Sequence, residues 1–494
     1  KRKKGVRIFF AVMLALTLCC SLINWGVITG WGTVRVQRMT LSGYSGDQIS
    51  GLLYIPEGAS KDAPAPLLIN YHGNAGNARN HESWSMEFAR RGFVVLAPDL
   101  YGAGDSENST PSFIGPDNLM TTAETFYLFG KGLDYIDGEN IIVAGHSMGG
   151  SVTAGIAGKY DTKALLSASG ALGSQFRDES CKEWMEYANS YMGNTLLVFG
   201  DVERDEAGLC QAMQDWLDIK QNFGYEGYVG AQYTQEDQIV GSFEEGNAVY
   251  GSLDDHRVHE AAFVNQETIS KLLWFGQEAV GDAVPNYIDP EDQVWMWKDY
   301  IGLASIYIFG LFICALALLF IEEVPFFEAV KRAPARNIGL RNIGMMISII
   351  LGLVFPYIVL KTNGLGLIPL TGMTNMPPTC IPVAGLRLTY SNLALCTIVG
   401  LNLLGLLGFA LYFFTDGKKH KLTLNDLGLT PADSNSLSVK MILKTLLLSV
   451  VVIAIAWGLL AIQEGLFGTS FYAWFFGFKS IPVIKVKYYW AYIL

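Results

Sequence analysis

Gly145-His146-Ser147-Met148-Gly149-Gly150 is the stretch that decides the fold of this 494-residue chain. It follows Asn140-Ile141-Ile142-Val143-Ala144, a short, uncharged, β-branched run that reads as a buried parallel strand. The small residues of Gly149-Gly150-Ser151-Val152-Thr153-Ala154-Gly155-Ile156-Ala157 then read as a helix lying close on a sheet. A serine between strand and helix sits on a sharp, strained turn with its hydroxyl pointing outward, a nucleophile elbow. Gly145 and Gly149 flank it because side chains there would collide across the turn. The turn also puts the Met148 N–H at a helix N-terminus, where it can stabilise an oxyanion. Ser147 is the candidate nucleophile.

Upstream, the apolar strand Pro66-Leu67-Leu68-Ile69-Asn70-Tyr71 ends in His72-Gly73-Asn74-Ala75-Gly76-Asn77. A Gly-containing loop at that place is where a second oxyanion donor belongs, and the Asn74 N–H is the candidate. A helix over about Glu82 to Arg91 is stopped by Gly92. The strand Phe93-Val94-Val95-Leu96-Ala97 follows and leads into Pro98-Asp99-Leu100-Tyr101-Gly102-Ala103-Gly104-Asp105-Ser106. Strands alternating with helices imply an α/β, doubly wound, mostly parallel sheet with its working loops at the strand C-termini.

These features together resemble the α/β-hydrolase family. The elbow, the His-Gly-Asn loop and the Asp-x-x-Gly-x-Gly-x-Ser stretch stand in that family's order over about residues 35–280. The His-Gly-Asn style is most similar to serine-aminopeptidase-like and monoglyceride-lipase-like members. The resemblance implies a chain order of serine, acid, histidine. Of six histidines, His72 and His146 sit in loop motifs, His81 precedes a helix, and His420 lies beyond the region. His256 and His259 remain, and His259 is favoured. It follows the strand-like Asn247–Tyr250 and precedes a helix, about Gln266 to Phe275, that matches the family's closing helix.

The family usually places its carboxylate three residues after a glycine. Here that is Glu203, after the strand Asn194-Thr195-Leu196-Leu197-Val198-Phe199-Gly200, with Asp201 and Asp205 as alternatives. The implied mechanism is acyl transfer: His259 accepts the Ser147 proton, the carboxylate steadies the imidazole, and Met148 and Asn74 hold the oxyanion. His72 and Asp99 read as loop scaffolding. The chemistry calls for no cofactor and no metal. Residues 201–247 carry Leu209, Met213, Trp216 and Leu217 at helical spacing and read either as a lid over the site or as a peripheral helix and loop.

Ile8 to Ile28 is a charge-free run of 21 residues after Lys1-Arg2-Lys3-Lys4 and Arg7, long enough to span a bilayer. Further apolar runs lie at about 300–321, 343–360, 393–414 and 445–462, which makes a multi-pass membrane protein. Gly32 to Asp299 holds 16 Lys and Arg against 39 Asp and Glu, whereas the rest of the chain is net positive. Basic residues cluster before the first span, between the second and third (Lys331, Arg332, Arg336, Arg341) and between the fourth and fifth (Lys418, Lys419, Lys421, Lys440). The positive-inside rule then puts the N-terminus in the cytoplasm and the hydrolase region outside, at a cell membrane.

Trp25, Trp31, Trp295, Trp297 and Tyr300 read as interfacial aromatics. An acidic outer domain excludes nucleic acid as a partner and leaves membrane lipids and a small or lipid-like acyl substrate. The expected organisation is a basic tail and anchor (1–31), an extracytoplasmic α/β-hydrolase domain (32–281), an acidic linker (282–299) and an all-α membrane domain (300–494). Cys181 and Cys210 are candidates for a disulfide. Tyr488 to Leu494 reads as the start of another span, an expectation that the sequence is a piece of a longer chain. The function expected is a membrane-anchored serine hydrolase cleaving an ester or amide. The alternative is a multi-span transporter or assembly protein with a non-catalytic hydrolase-like binding domain.

Overall fold

A computed structural model describes residues 2–74, 76–107, 118–170, 182–200, 238–255, 257–331 and, with short gaps, 403–485. Glu203, Asp201, Asp205, Cys181, Cys210 and His256 lie outside the described residues, as do residues 201–237, the candidate span at 343–360 and most of that at 393–414. The chain divides into two compact units. One comprises Ser21–Ala304 with Gln463–Lys487; the other comprises Lys1–Cys20, Ser305–Ile462 and Tyr488–Leu494.

Among the described residues, the first unit is built on a nine-stranded sheet. Its strands are β1 (Val34–Ser42), β2 (Gln48–Pro56), β3 (Ala65–Tyr71), β4 (Val94–Pro98), β5 (Ile136–His146), β6 (Ala164–Ala168), β7 (Asn194–Gly200), β8 (Ile239–Val240) and β9 (Val249–Asp254). Their spatial order is β1-β2-β4-β3-β5-β6-β7-β9-β8. From β4 across to β9 every neighbouring pair is parallel, while β1, β2 and β8 run antiparallel at the edges. The mostly parallel, doubly wound sheet expected from the sequence is present.

Helices α2 (Glu82–Arg90), α3 (Leu119–Lys131), α4 (Met148–Tyr160), α5 (Lys182–Ser190) and α6 (Gln266–Val280) accompany it. The central strands are apolar without alternation because both faces are covered. Leu67, Ile69, Ile141 and Val143 pack with Phe126, Tyr127, Val152 and Ile156 on one side. Leu68, Ile142 and Ala144 pack with Trp84, Phe88, Ile269 and Leu272 on the other. Gly92 has a φ of 87°, which lets the chain turn out of α2 and straight into β4.

Among the described residues, three helices are long and apolar enough to cross a membrane: α1 (Arg2–Ile28), α7 (Trp295–Glu323) and α8 (Val439–Phe467), of 27, 29 and 29 residues. They contain the runs expected at 8–28, 300–321 and 445–462. Within the second unit the guanidiniums of Arg2 and Arg7 reach Glu322 at 2.7 Å and Glu323 at 2.6 Å, and Phe10 meets Phe312 with ring centroids 5.9 Å apart. The start of α1 therefore lies beside the end of α7, and the two helices run antiparallel.

Trp295 differs from its reading as an interfacial aromatic. It is buried in the sheet unit's core, with its indole N–H donating to Gln293 Oε1 at 2.6 Å. Trp31, Trp297 and Tyr300 are exposed, as an interfacial belt requires.

Candidate active site

The register of the parallel strands brings the site together. Tyr71 of β3 pairs with Gly145 of β5, His146 with Ala168 of β6, Ala168 with Val198 of β7, and Gly200 with Asp254 of β9. The residues following these strand ends therefore share one edge, the crevice at the carboxyl ends where open α/β sheets bind ligands. Among the described residues, His72 to Asn74 follow β3, Ser147 follows β5 and His259 follows β9.

Ser147 links β5 to α4 with φ 55° and ψ −120°, a region that side-chain-bearing residues rarely occupy. The turn closes only because of its neighbours. A Cβ on Gly145 would overlap the carbonyl of Gly149, and one on Gly149 would overlap the carbonyl of Tyr71. The Ser147 N–H donates to the Ala168 carbonyl at 3.0 Å, fixing the elbow to β6. Met148 is the first residue of α4, so its N–H is among those at the helix N-terminus without an intrahelical acceptor.

His259 Nε2 lies 2.8 Å from Ser147 Oγ, the distance at which the hydroxyl donates to a neutral imidazole. His259 is half-buried, on a short 3-10 turn, His259–Ala261. Two ties hold the loop that carries it. The buried Arg257 donates to Asp254 Oδ2 at 2.7 Å and to Ser169 Oγ at 2.9 Å. His146 Nε2 is 2.8 Å from the His259 carbonyl oxygen, so its N–H donates there. Burial pushes His146 well below the ordinary imidazole value, and the nearby His259 adds to the shift, which keeps His146 neutral. Its ring packs against His81, Phe263 and His259. The sequence reading placed His146 only as a loop residue. The signal available for its role was its position beside the nucleophile, on the strand that faces the histidine loop.

The loop carrying Asn74 is fixed at both ends. His72 Nδ1 is 2.8 Å from the Gly73 carbonyl and its Nε2 accepts from the Leu100 N–H at 3.0 Å, a pattern that needs a neutral ring. Burial lowers the His72 value accordingly. Asp99 accepts from the Ala78 N–H at 2.8 Å and the Asp105 N–H at 2.9 Å, joining this loop to the one after β4. Both side chains do scaffold work. Ser147, Met148, Asn74 and His259 thus stand at one edge of the sheet, while Glu203, Asp201 and Asp205 lie outside the described residues. Among the described residues no group of His, Cys, Asp and Glu could hold a metal ion.

Residues 66–186 match the family described as the alpha/beta hydrolase fold. No curated protein matches the sequence. Solved structures similar to this chain include S-formylglutathione hydrolase from Staphylococcus aureus (13% identity over 49% of this chain and 99% of that one, TM-score 0.36). An esterase from Pyrobaculum calidifontis (14%, 57% and 94%, TM-score 0.35) and a bacterial heroin esterase (15%, 55% and 90%, TM-score 0.33) are others. On its strand order, its elbow and the match over residues 66–186, the sheet-bearing part of this chain is an α/β-hydrolase in fold.

Proposed function

We propose that the protein is a membrane-anchored serine hydrolase that cleaves a carboxylic ester, or an amide, on the extracytoplasmic face. The single observation that carries this reading is the 2.8 Å approach of His259 Nε2 to Ser147 Oγ at a strained elbow. His259 takes the hydroxyl proton as Oγ attacks the acyl carbon, and the acyl-enzyme forms as the protonated imidazole releases the leaving group. Water, activated by the same imidazole, then releases the acid. The N–H groups of Met148 and Asn74 receive the negative charge on the carbonyl oxygen, each worth about 2.7–4 kcal/mol of transition-state stabilisation in such sites. Glu203 is the proposed carboxylate behind His259, with Asp201 and Asp205 as alternatives.

Chain direction supports the membrane side. The C-terminal end of α1, the N-terminal end of α7 and the C-terminal end of α8 all belong to the sheet-bearing unit. The opposite ends carry Arg2, Lys3, Lys4 and Arg7, then Lys331, then Lys440 and Lys444, the positive charge of a cytoplasmic face. Trp31, Trp297 and Tyr300 are exposed and close in sequence to the ends of α1 and α7 that belong to the sheet-bearing unit; read as headgroup-level aromatics, they support a lipid-like acyl substrate.

The test is hydrolysis of a panel of short- and long-chain esters and lipid esters by membranes containing the wild type or Ser147→Ala. Turnover of at least one ester class by the wild type alone is expected. Turnover equal in the two would remove Ser147 from the chemistry.

A further inference from the structure

We propose that the segment Gln463–Lys487, which begins in the last turns of α8 and runs on beyond it, is a positioning element of the catalytic unit. It sets the loop that carries the Asn74 oxyanion donor, with Tyr472 as its positioning residue. The proposal rests on Ser147 being the nucleophile of an acyl-transfer site.

The segment is far from the hydrolase region in sequence and within it in space. Gly468, with φ 66°, lies so close to β1 that a Cβ there would come within 2.5 Å of the Val36 carbonyl. Phe471, Tyr472 and Ala473 form one arm of a small hairpin (β10, Phe471–Ala473, with β11, Phe476–Phe478), and all three are buried. The buried Asn24 amide donates to the Ser470 carbonyl at 2.7 Å.

Its polar contacts converge on the loop after β3. Asn77 Nδ2 donates to the Tyr472 hydroxyl at 3.2 Å, and Asn77 Oδ1 accepts from the Arg79 N–H at 2.9 Å. The Arg79 guanidinium, buried, donates to the Gly468 carbonyl at 3.0 Å and to Glu82 at 3.2 Å. A second route runs through the loop after β4. Lys479 reaches Asp105 at 2.9 Å, Asp105 also pairs with Arg38, and Arg38 lies 3.9 Å from Glu464. The Asp105 N–H is held by Asp99, whose other oxygen holds the Ala78 N–H.

The loop of residues 73–80 is therefore gripped at its far end, directly and through Asp99, by residues 463–487. Its near end is set by His72, and the Gly76 N–H closes a turn on the Gly73 carbonyl at 3.1 Å around Asn74. An oxyanion donor works only when its aim is fixed before the charge develops, to within about 0.5 Å. Freeing Asn77 loosens the turn from one side. The loss falls on the transition state and leaves ground-state binding of the acyl group in place.

The experiment uses the full-length protein in detergent or nanodiscs. Tyr472→Phe removes one hydroxyl and keeps the ring, and thermal unfolding checks that it folds as the wild type. For an ester substrate, kcat is expected to fall about tenfold with KM within about twofold, equivalent to about 1.4 kcal/mol of barrier. Affinity for a boronic acid, which forms a tetrahedral adduct on the serine, should fall in parallel. Asn77→Ala should lower kcat similarly, and the double variant should be no worse than Asn77→Ala alone. A wild-type kcat in Tyr472→Phe, a loss confined to KM, or losses that multiply in the double variant would overturn the positioning role. Fluorophosphonate labelling of wild type against Ser147→Ala separates the two levels. Ser147-dependent labelling with an unaffected Tyr472→Phe refutes the positioning role alone, whereas folded wild type that never labels refutes both.

Discussion

Ser147 occupies a backbone conformation that costs about 1–3 kcal/mol, and the turn can close around it because Gly145 and Gly149 carry no Cβ to collide with the backbone opposite. The strain lifts Oγ to the strand edge within reach of His259. Ser147→Ala should fold normally and lose on the order of 10⁴–10⁶ in kcat/KM, read from ester turnover per mole of folded protein. His72, His81 and His146 show a second property of the site. All three are buried, and burial lowers each below the ordinary imidazole value, His81 and His146 strongly. An unfolded chain takes up protons on these rings below about pH 6.5 while the folded one resists. The unfolded state then binds more protons, so stability falls as pH drops, by up to about 1.4 kcal/mol per pH unit for each ring. Thermal unfolding between pH 7.5 and 5.5 should show a falling Tm, and His81→Gln should flatten that fall. A Tm rising toward acid would contradict the neutral burial of these rings.

At the scale of elements, the joint between α2 and α7 carries an unusual load. Glu87 is buried on α2; it pairs with Arg90 and Arg91, and its other oxygen accepts from the Val294 and Trp295 N–H groups at 2.6 and 2.9 Å. One carboxylate thus caps the start of a long apolar helix and neutralises a buried guanidinium. Glu87→Ala should destabilise by about 3–5 kcal/mol through the stranded Arg91, and Glu87→Gln by less, measured by thermal unfolding of the purified protein. Strands β3, β4, β5 and β7 and helices α2 and α4 were legible in the sequence because both-face burial writes an uninterrupted apolar run and glycines mark the turns, whereas the five-residue β6 was not singled out. The antiparallel β1 and β2 carry a weaker pattern, since β1 alternates buried and exposed positions and ends half-exposed. The pairing of Ser147 with His259 followed from chain order. The His146 tie to the His259 carbonyl did not, because no sequence pattern announces a side-chain bond to a backbone atom 113 residues away. Trp295 was misread for a similar reason: it opens a long apolar run with exposed Trp297 and Tyr300 close by, but Gln293 and the core claim its ring.

At the scale of the molecule, the sheet-bearing unit is discontinuous in sequence, since Gln463–Lys487 joins Ser21–Ala304 after about 160 intervening residues. Such long-range assembly leaves no periodicity to read, so the expected boundary at 281 could not include it. The proposed topology has Lys331 and Lys440 on the cytoplasmic side and the sheet unit outside, on the positive-inside rule. Single cysteines introduced at Ser45 and at Ser438 should react with a membrane-impermeant maleimide from outside and only after permeabilisation, respectively; the reverse pattern would invert the topology. The central claim is an activated serine facing outward. The most direct measurement is treatment of intact cells with a membrane-impermeant fluorophosphonate, followed by mapping of the modified peptide. Modification at Ser147 is expected, lost in His259→Gln. Folded protein that stays unmodified at Ser147 even after permeabilisation, or that is modified equally in His259→Gln, would contradict the account.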